Sequence, residues 1–152
     1  MLVLRRARNS DRSALTELLT KANMPYVEPI KAYTLALEGP IIAGCARLED
    51  HGNTVMLRPL VVAEKYRRKG LGAHMLKRIM PHDKPTIVAA RGEAIPFYLA
   101  VGFNKAGWHA VSDEQRNECK LCPERKACHP QPMIYVPGNC ENEHSIDQSQ
   151  NN

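Results

Sequence analysis

Seven consecutive residues, Arg67-Arg68-Lys69-Gly70-Leu71-Gly72-Ala73, carry the strongest chemical signal in the sequence. Three adjacent cations precede two glycines, and the residues that follow have helical spacing. Glycine lets a backbone approach a ligand closely, and the free amides of a helix's first turn, with the helix dipole behind them, point at an anion. The pattern reads as a phosphate cradle. Taken alone, a Gly-x-Gly is equally a plain turn beside a solvated basic patch. There is no Gly-Lys-Ser/Thr, and no Gly-x-Gly-x-x-Gly with an acid about twenty residues on, so nucleoside triphosphates and dinucleotides fit poorly. A second chemistry-bearing group is Cys119-x-x-Cys122 followed by Cys128-His129, with Cys140 and His144 beyond it. It offers the three or four soft ligands of a structural zinc, or reduced thiols packed under a loop. Cys45, mid-strand, is expected in the core. An odd total of five cysteines argues against a disulfide framework.

The elements that must position these residues can be read from periodicity. Leu2 to Ala7 reads as a strand, and Ser10 then caps a helix carrying Leu15, Leu18, Leu19 and Ala22, ended by Pro25. Tyr33 to Leu37 and Ile41 to Leu48 read as strands joined at Gly39-Pro40. A turn at Asp50-His51-Gly52-Asn53 leads into a strand from Thr54 to Val62. After the basic loop comes an amphipathic helix with Leu71, Met75 and Ile79 on one face and Lys77 and Arg78 turned outward, stopped by Pro81 and Pro85. Thr86 to Ala90 is a strand and Ala94 to Val101 a helix ending at Gly102. Another strand begins at Phe103, and Met133 to Val136 is a candidate last one. The order predicts an α+β fold: a mixed, mostly antiparallel sheet flanked by helices.

Composition bounds the rest. The 152 residues are expected to form one domain over 1–138, with 109–138 as its cysteine-containing end and 139–152 as a disordered polar tail. The longest stretches free of charged residues, Ala94 to Asn104 and His129 to Cys140, fall short of the roughly 20 residues a membrane helix needs. Arg5 and Arg6 interrupt what would be the apolar core of a secretory signal, so a cytoplasmic protein without membrane partners is expected. The tail holds three acids and no Lys or Arg, so the +5 of the whole chain is +8 over residues 1–138. Such a surface calls for an anionic partner. Nucleic acid is one such anion, although eight aromatics leave few stacking platforms for it, and a phosphorylated cofactor fits equally.

With Arg67-x-x-Gly70-x-Gly72 opening a helix after the fourth strand, the sequence resembles the GNAT N-acetyltransferases. Leu60-Val61-Val62 with Tyr66-Arg67 extends the match upstream, and Ala94-x-x-Phe97-Tyr98-x-x-x-Gly102-Phe103 extends it downstream, so it spans residues 1 to about 108. Arg68 stands where that family usually has glycine, which predicts a less tight first turn. A further resemblance, carried by Met56-Leu57-Arg58 and by Leu121-Cys122-Pro123 with Cys128, is to arsenic-operon acetyltransferases and short relatives of N-acetylglutamate synthase. Four residues, His129 to Pro132, separate Cys128 from Met133, where those relatives have Met at once.

The resemblance implies acetyl transfer from acetyl-CoA to a primary amine by direct attack in a ternary complex, with the pantetheine arm admitted where strands four and five splay. It implies that backbone groups of Leu60, Val61 and Val62 hold the thioester arm, that Arg67, Arg68, Lys69, Gly70, Leu71, Gly72 and Ala73 hold the pyrophosphate, and that Tyr98 protonates the departing thiolate. Phe97 beside Tyr98 leaves a packing role open for that tyrosine. Glu49, or His51, is the candidate to relay the acceptor's proton, although a charged residue at a turn is commonly just solvated. Strand alternation puts Arg58 on the face of Met56, Leu60 and Val62, where a guanidinium would grip the carboxylate of an amino-acid-like acceptor or simply face water. The rival readings are a nucleic-acid-binding module with a small Cys119/Cys122/Cys128/His129 metal site and no catalysis, and an acyl-CoA sensor on the same fold. The assembly is left open between a single chain and a homodimer.

Overall fold

A computed structural model describes residues 2–123 and 125–138; the expected polar tail at 139–152, with Cys140 and His144, lies outside them. Twelve helices and strands follow in the order β1 (Leu2–Arg6), α1 (Arg12–Lys21), β2 (Tyr33–Glu38), β3 (Ile41–Asp50), β4 (Val55–Val62), α2 (Leu71–Ile79), β5 (Thr86–Ala90), α3 (Ile95–Val101), β6 (Asn104–Lys105), α4 (Asp113–Leu121), α5 (Arg125–Cys128) and β7 (Gln131–Tyr135). The strands form one sheet in the order β1-β2-β3-β4-β5-β7-β6. Pairing is antiparallel at β1–β2, β2–β3, β5–β7 and β6–β7, and parallel at β4–β5, so the fold is the expected mixed α+β type. The residues gather into two compact units. One runs up to Glu49 and adds Leu57–Met80; the other takes Asp50–Met56 and the described residues from Pro81 to Gly138.

In the first unit, a strand period of two meets a helix period near four. Tyr33, Leu35 and Leu37 of β2 point into a core that also holds Leu15 and Leu19 of α1, Ala7, Ile30, Cys45 and Val61. Leu15, Leu19, Tyr33 and Leu35 are completely buried, and truncating a leucine in such a site to alanine costs about 2–5 kcal/mol. Residues Ala43 to Arg47 of β3 are buried without alternation, which explains their small size: Ala, Gly, Cys and Ala precede the arginine. Gly44 is where α2 is seated. A Cβ there would lie 3.0 Å from the Val61 carbonyl oxygen and 3.2 Å from Met75 Sδ. Within α2, Leu71, Gly72, Met75 and Leu76 are the buried residues, so Leu76 rather than Ile79 completes the inner face.

Two helix ends differ from the sequence expectation. Ser10 lies inside a 3-10 turn (Asn9–Asp11) that precedes α1, and the carboxylate that accepts a backbone N–H there is Asp11, from Arg8 at 2.7 Å. Asp11 wins because Arg5 also donates to it at 2.8 Å, which holds its carboxyl below the usual range and fixes it in place. At the other end, the Ala22 and Met24 amides both return to the Leu19 carbonyl and Asn23 turns left-handed (φ 57°), so the helix closes before Pro25.

In the second unit, β5 pairs with Val55 and Met56 on one side and with β7 on the other. Met56, Ile87 and Val111 form its core, with Trp108, Ala110 and Ile134 against them. Tyr98, Phe103 and Tyr135 make a ring cluster with centroids 5.1 and 5.5 Å apart. Gly102 (φ 114°) ends α3 beside it, where a Cβ would come within 3.1 Å of the Tyr135 ring. The helix α4 was not expected from periodicity; its N-cap is Ser112, whose hydroxyl accepts the Gln115 amide at 3.2 Å. Among the described residues, no helix is long and apolar enough to cross a membrane.

Candidate active site

The basic loop leaves β4 at Val62 and enters α2 at Leu71. Local hydrogen bonds shape it: the Ala63 amide donates to the Ala43 carbonyl at 2.8 Å, a 3-10 turn covers Glu64–Tyr66, and Arg67 Nε donates to the Val62 carbonyl at 2.9 Å. Tyr66 is buried and its hydroxyl donates to Glu38 Oε1 at 2.6 Å. Arg68 adopts φ 65° and Gly70 φ 81°. The expectation of a looser turn at Arg68 is therefore corrected: the arginine takes the left-handed backbone that glycine adopts freely, at a cost of about 1–2 kcal/mol.

The first i→i−4 bond of α2 runs from the His74 amide to the Gly70 carbonyl at 3.0 Å. The amides of Leu71, Gly72 and Ala73 precede it and, like those of any first helical turn, have no partner within the helix. The first turn of α2 holds no acid, and the exposed side chains of Arg67, Arg68 and Lys69 stand just before it. With the positive end of the helix dipole among three cations, the local field favours a doubly charged anion such as a pyrophosphate.

Along β4, Leu57, Pro59 and Val61 are buried while Arg58, Leu60 and Val62 are half-buried, so the alternation that puts Arg58 on the face of Leu60 and Val62 holds. Next to Arg58 lies an arginine that sequence reasoning missed. Arg47 is 7% exposed, and its Nη1 donates to a Glu49 carboxylate oxygen and, at 3.3 Å, to the Arg58 carbonyl. Its Nε is buried with no hydrogen-bond partner among the described residues. Glu49 thus sits in an ion pair whose side chains are 9% and 23% exposed, and its carboxylate is oriented by Arg47. The signal for Arg47 was present: residues two apart on a strand share a face, which puts Arg47 beside Glu49. Directly across the strand pair from Arg47 is Tyr33, fully buried, its phenol pushed up by burial and its oxygen accepting the Val27 amide at 3.0 Å.

In the second unit, Tyr98 is 6% exposed, edge-on to Phe97 at 5.0 Å and to Phe103 at 5.1 Å. Burial raises its phenol well above the ordinary value, so the hydroxyl stays protonated through neutral pH and is a strong hydrogen-bond donor only toward a developing anion. His51 sits at the β3–β4 turn, where its amide donates to the Thr54 carbonyl at 2.9 Å.

The zinc expectation rests on Cys119, Cys122, Cys128 and His129; among the described residues, no group of three or more His, Cys, Asp or Glu side chains is placed to hold a metal. Cys119 is fixed within α4, Cys122 is its exposed C-cap, and His129 takes a left-handed turn (φ 46°) that lays it against Gly92.

Comparison with known proteins bears on this arrangement. A family model described as an acetyltransferase (GNAT) domain matches residues 30–105, half of the chain. No curated protein matches it significantly. Among solved structures, the N-acetylglutamate synthase of Neisseria gonorrhoeae complexed with coenzyme A and L-arginine is similar at a TM-score of 0.71 and 12% identity, over 90% of this chain and 33% of that one. Rv2747 of Mycobacterium tuberculosis, in complex with CoA, is similar at a TM-score of 0.68 and 17% identity, over 88% and 98% of the two chains. Naa50 of Arabidopsis thaliana, bound to a bisubstrate analogue, is similar at a TM-score of 0.62 and 18% identity, over 89% and 98%. At these identities the likeness is one of fold. The chain spans about a third of the length of the N-acetylglutamate synthase.

Proposed function

The chain belongs to the acetyltransferase (GNAT) family, and from that premise we propose that it transfers the acetyl group of acetyl-CoA to the primary amine of a small, amino-acid-like acceptor. The observation that carries this reading is the loop into α2: three cations, two left-handed residues and three first-turn amides that precede the first helical bond. In this reading Leu71, Gly72 and Ala73 donate their amides to the pyrophosphate, and Arg67, Arg68 and Lys69 neutralise it. Gly70 supplies the left-handed turn that starts the helix. The backbone groups of Leu60, Val61 and Val62 hold the pantetheine arm as a further strand would be held. Pro59, lacking an N–H, leaves its neighbours to do so.

Arg58 orients the acceptor by its carboxylate through a two-pronged hydrogen bond. Glu49, aimed by Arg47, accepts the proton that the ammonium must lose before attack, directly or through a water. The amine nitrogen then bonds to the thioester carbon, the C–S bond breaks, and Tyr98 donates to the departing thiolate. Tyr98 acts mostly as a hydrogen-bond donor, since a phenol held above its ordinary pKa gives up its proton reluctantly.

The test is a screen of free-thiol release from acetyl-CoA against amino acids, polyamines, aminoglycosides and lysine peptides. It is paired with thermal shifts in coenzyme A at low and moderate salt. Turnover with carboxylate-bearing amines supports the reading. A shift without turnover means a sensor. The absence of both, with nucleic-acid affinity that collapses as salt rises, means a binding module.

A further inference from the structure

Glu38 and Tyr66 are 28 residues apart and join two elements that the reaction itself does not link: the end of β2 and the turn that leads into the basic loop. We infer that Glu38, acting through the Tyr66 hydroxyl, is a positioning residue for the pyrophosphate-binding loop. This rests on the reading of that loop as the coenzyme A site.

Three observations point to it. The loop holds one costly departure from ordinary backbone, Arg68 in the left-handed region two residues before Gly70, and a strained conformation persists only when its surroundings over-determine it. The bonds around the 3-10 turn close the loop on itself: the Tyr66 amide to the Ala63 carbonyl at 2.8 Å, the Arg67 amide to the Glu64 carbonyl at 3.2 Å, and Arg67 Nε back to Val62. The Tyr66 hydroxyl instead reaches across to β2. Because the ring of Tyr66 is buried while Glu38 is exposed, the tyrosine is the fixed partner and the carboxylate the adjustable one. The bond is charge-assisted: the Tyr66 phenol holds the Glu38 carboxyl below the usual carboxylate range, with Lys65 and Lys69 adding to the effect. Lys65 in turn lies over the Tyr66 ring, its Nζ 5.6 Å from the centroid.

This arrangement can be told from simple electrostatics because the two predict opposite signs. Glu38 is a negative charge close to an anion site. Removing it should tighten coenzyme A by field alone, whereas losing the tie should weaken it. The experiment measures the affinity for coenzyme A, and KM and kcat with acetyl-CoA and with S-acetylpantetheine, which lacks the pyrophosphate. The variants are Tyr66→Phe, Glu38→Ala, Glu38→Gln and the double Tyr66→Phe/Glu38→Ala.

The expected result is that Tyr66→Phe and Glu38→Ala each weaken coenzyme A and raise the acetyl-CoA KM by about three- to tenfold. The double variant should be no worse than either single one, and Glu38→Gln, which keeps an acceptor oxygen, should bind at least as well as the wild type. Rates with S-acetylpantetheine and kcat with acetyl-CoA should stay within twofold. Tighter binding in Glu38→Ala, unchanged binding in both single variants, additive losses in the double variant, or equal losses with both donors would overturn the inference. Wild-type protein that binds no coenzyme A would instead remove the functional reading itself, and this inference with it.

Discussion

Replacing Gly44 by alanine tests whether α2, and with it the anion-binding amides, is seated against β3. The new Cβ would stand 3.0 Å from the carbonyl oxygen of Val61, 3.2 Å from Met75 Sδ and 3.6 Å from Leu71 Cδ2. The first is strand backbone and the second belongs to a side chain with no exposure at all, so neither yields into solvent. Each must retreat by a few tenths of an ångström. Inserting a methyl into such a site costs about 1–3 kcal/mol, offset by about 0.4–1 kcal/mol because alanine restricts the unfolded chain. The net expectation is a loss of about 0.5–2 kcal/mol, read as a lower urea midpoint at unchanged slope. Since Leu71 is the first residue of α2 and Val61 neighbours the strand's exit, coenzyme A affinity should fall with it. Gly70→Ala is the control. Nothing lies within 4 Å of a Cβ there, so its cost, about 1–2 kcal/mol, is the left-handed backbone alone. Wild-type stability and affinity in Gly44→Ala would refute the seating of α2.

Tyr98→Phe keeps the ring cluster and removes the hydroxyl; turnover should fall by about 10²- to 10³-fold, the loss of one hydrogen-bond donor to a developing anion, with acetyl-CoA affinity within twofold, and unchanged turnover would make Tyr98 a packing residue. Arg58→Lys should raise KM for amino acids far more than for amines without a carboxylate, and parallel losses would exclude carboxylate recognition. Glu49→Gln should lower kcat by about 10²-fold or more with KM for acetyl-CoA little changed, and an unaltered kcat would remove Glu49 from the proton path. Burial pushes the Cys45 thiol up to about 12, so at pH 8 its thiolate fraction is about 10⁻⁴. Mass spectrometry after brief alkylation of native protein should find exposed Cys122 modified and Cys45 untouched; early labelling of Cys45 would contradict its burial.

The strands β2 to β5 were legible because each buries one face or both, and that leaves either alternation or a short apolar run. The span of β5, Thr86–Ala90, matches the expectation to the residue, and β2, β3 and β4 differ by one or two residues at an end. The helix α4 was not legible from periodicity, because Gln115 is its buried residue and an apolar stripe is lacking. Its start was written only in the cap, Ser112 before Asp113 and Glu114. At the cysteines, spacing alone did not show the local structure: the first member of the Cys-x-x-Cys pair lies inside α4 and the second at its cap. Sequence placed Arg58, Leu60 and Val62 on one face but gave no hint of the Glu38–Tyr66 bond, since contacts 28 residues apart depend on the register of β2 against its neighbours.

Arg68 shows how the loop's two requirements separate. The turn is set by backbone bonds that do not involve the side chain at 68, namely Ala63 to Ala43 and the 3-10 turn of Glu64–Tyr66, together with Arg67 Nε to Val62. The left-handed conformation therefore forms whatever residue stands there, and an arginine costs about 1–2 kcal/mol over a glycine. That strain is local to the folded state and independent of salt. What the arginine returns is Coulombic and appears only when an anion is present: a third positive charge before the amides of Leu71, Gly72 and Ala73. Interactions between exposed charges are screened within about 8–10 Å at physiological salt, so a charge helps only if the backbone holds it close to the ligand. The left-handed turn does that. A cation carried on a strained residue is thus more informative about the ligand than one on a relaxed surface, because folding alone would favour glycine at this position.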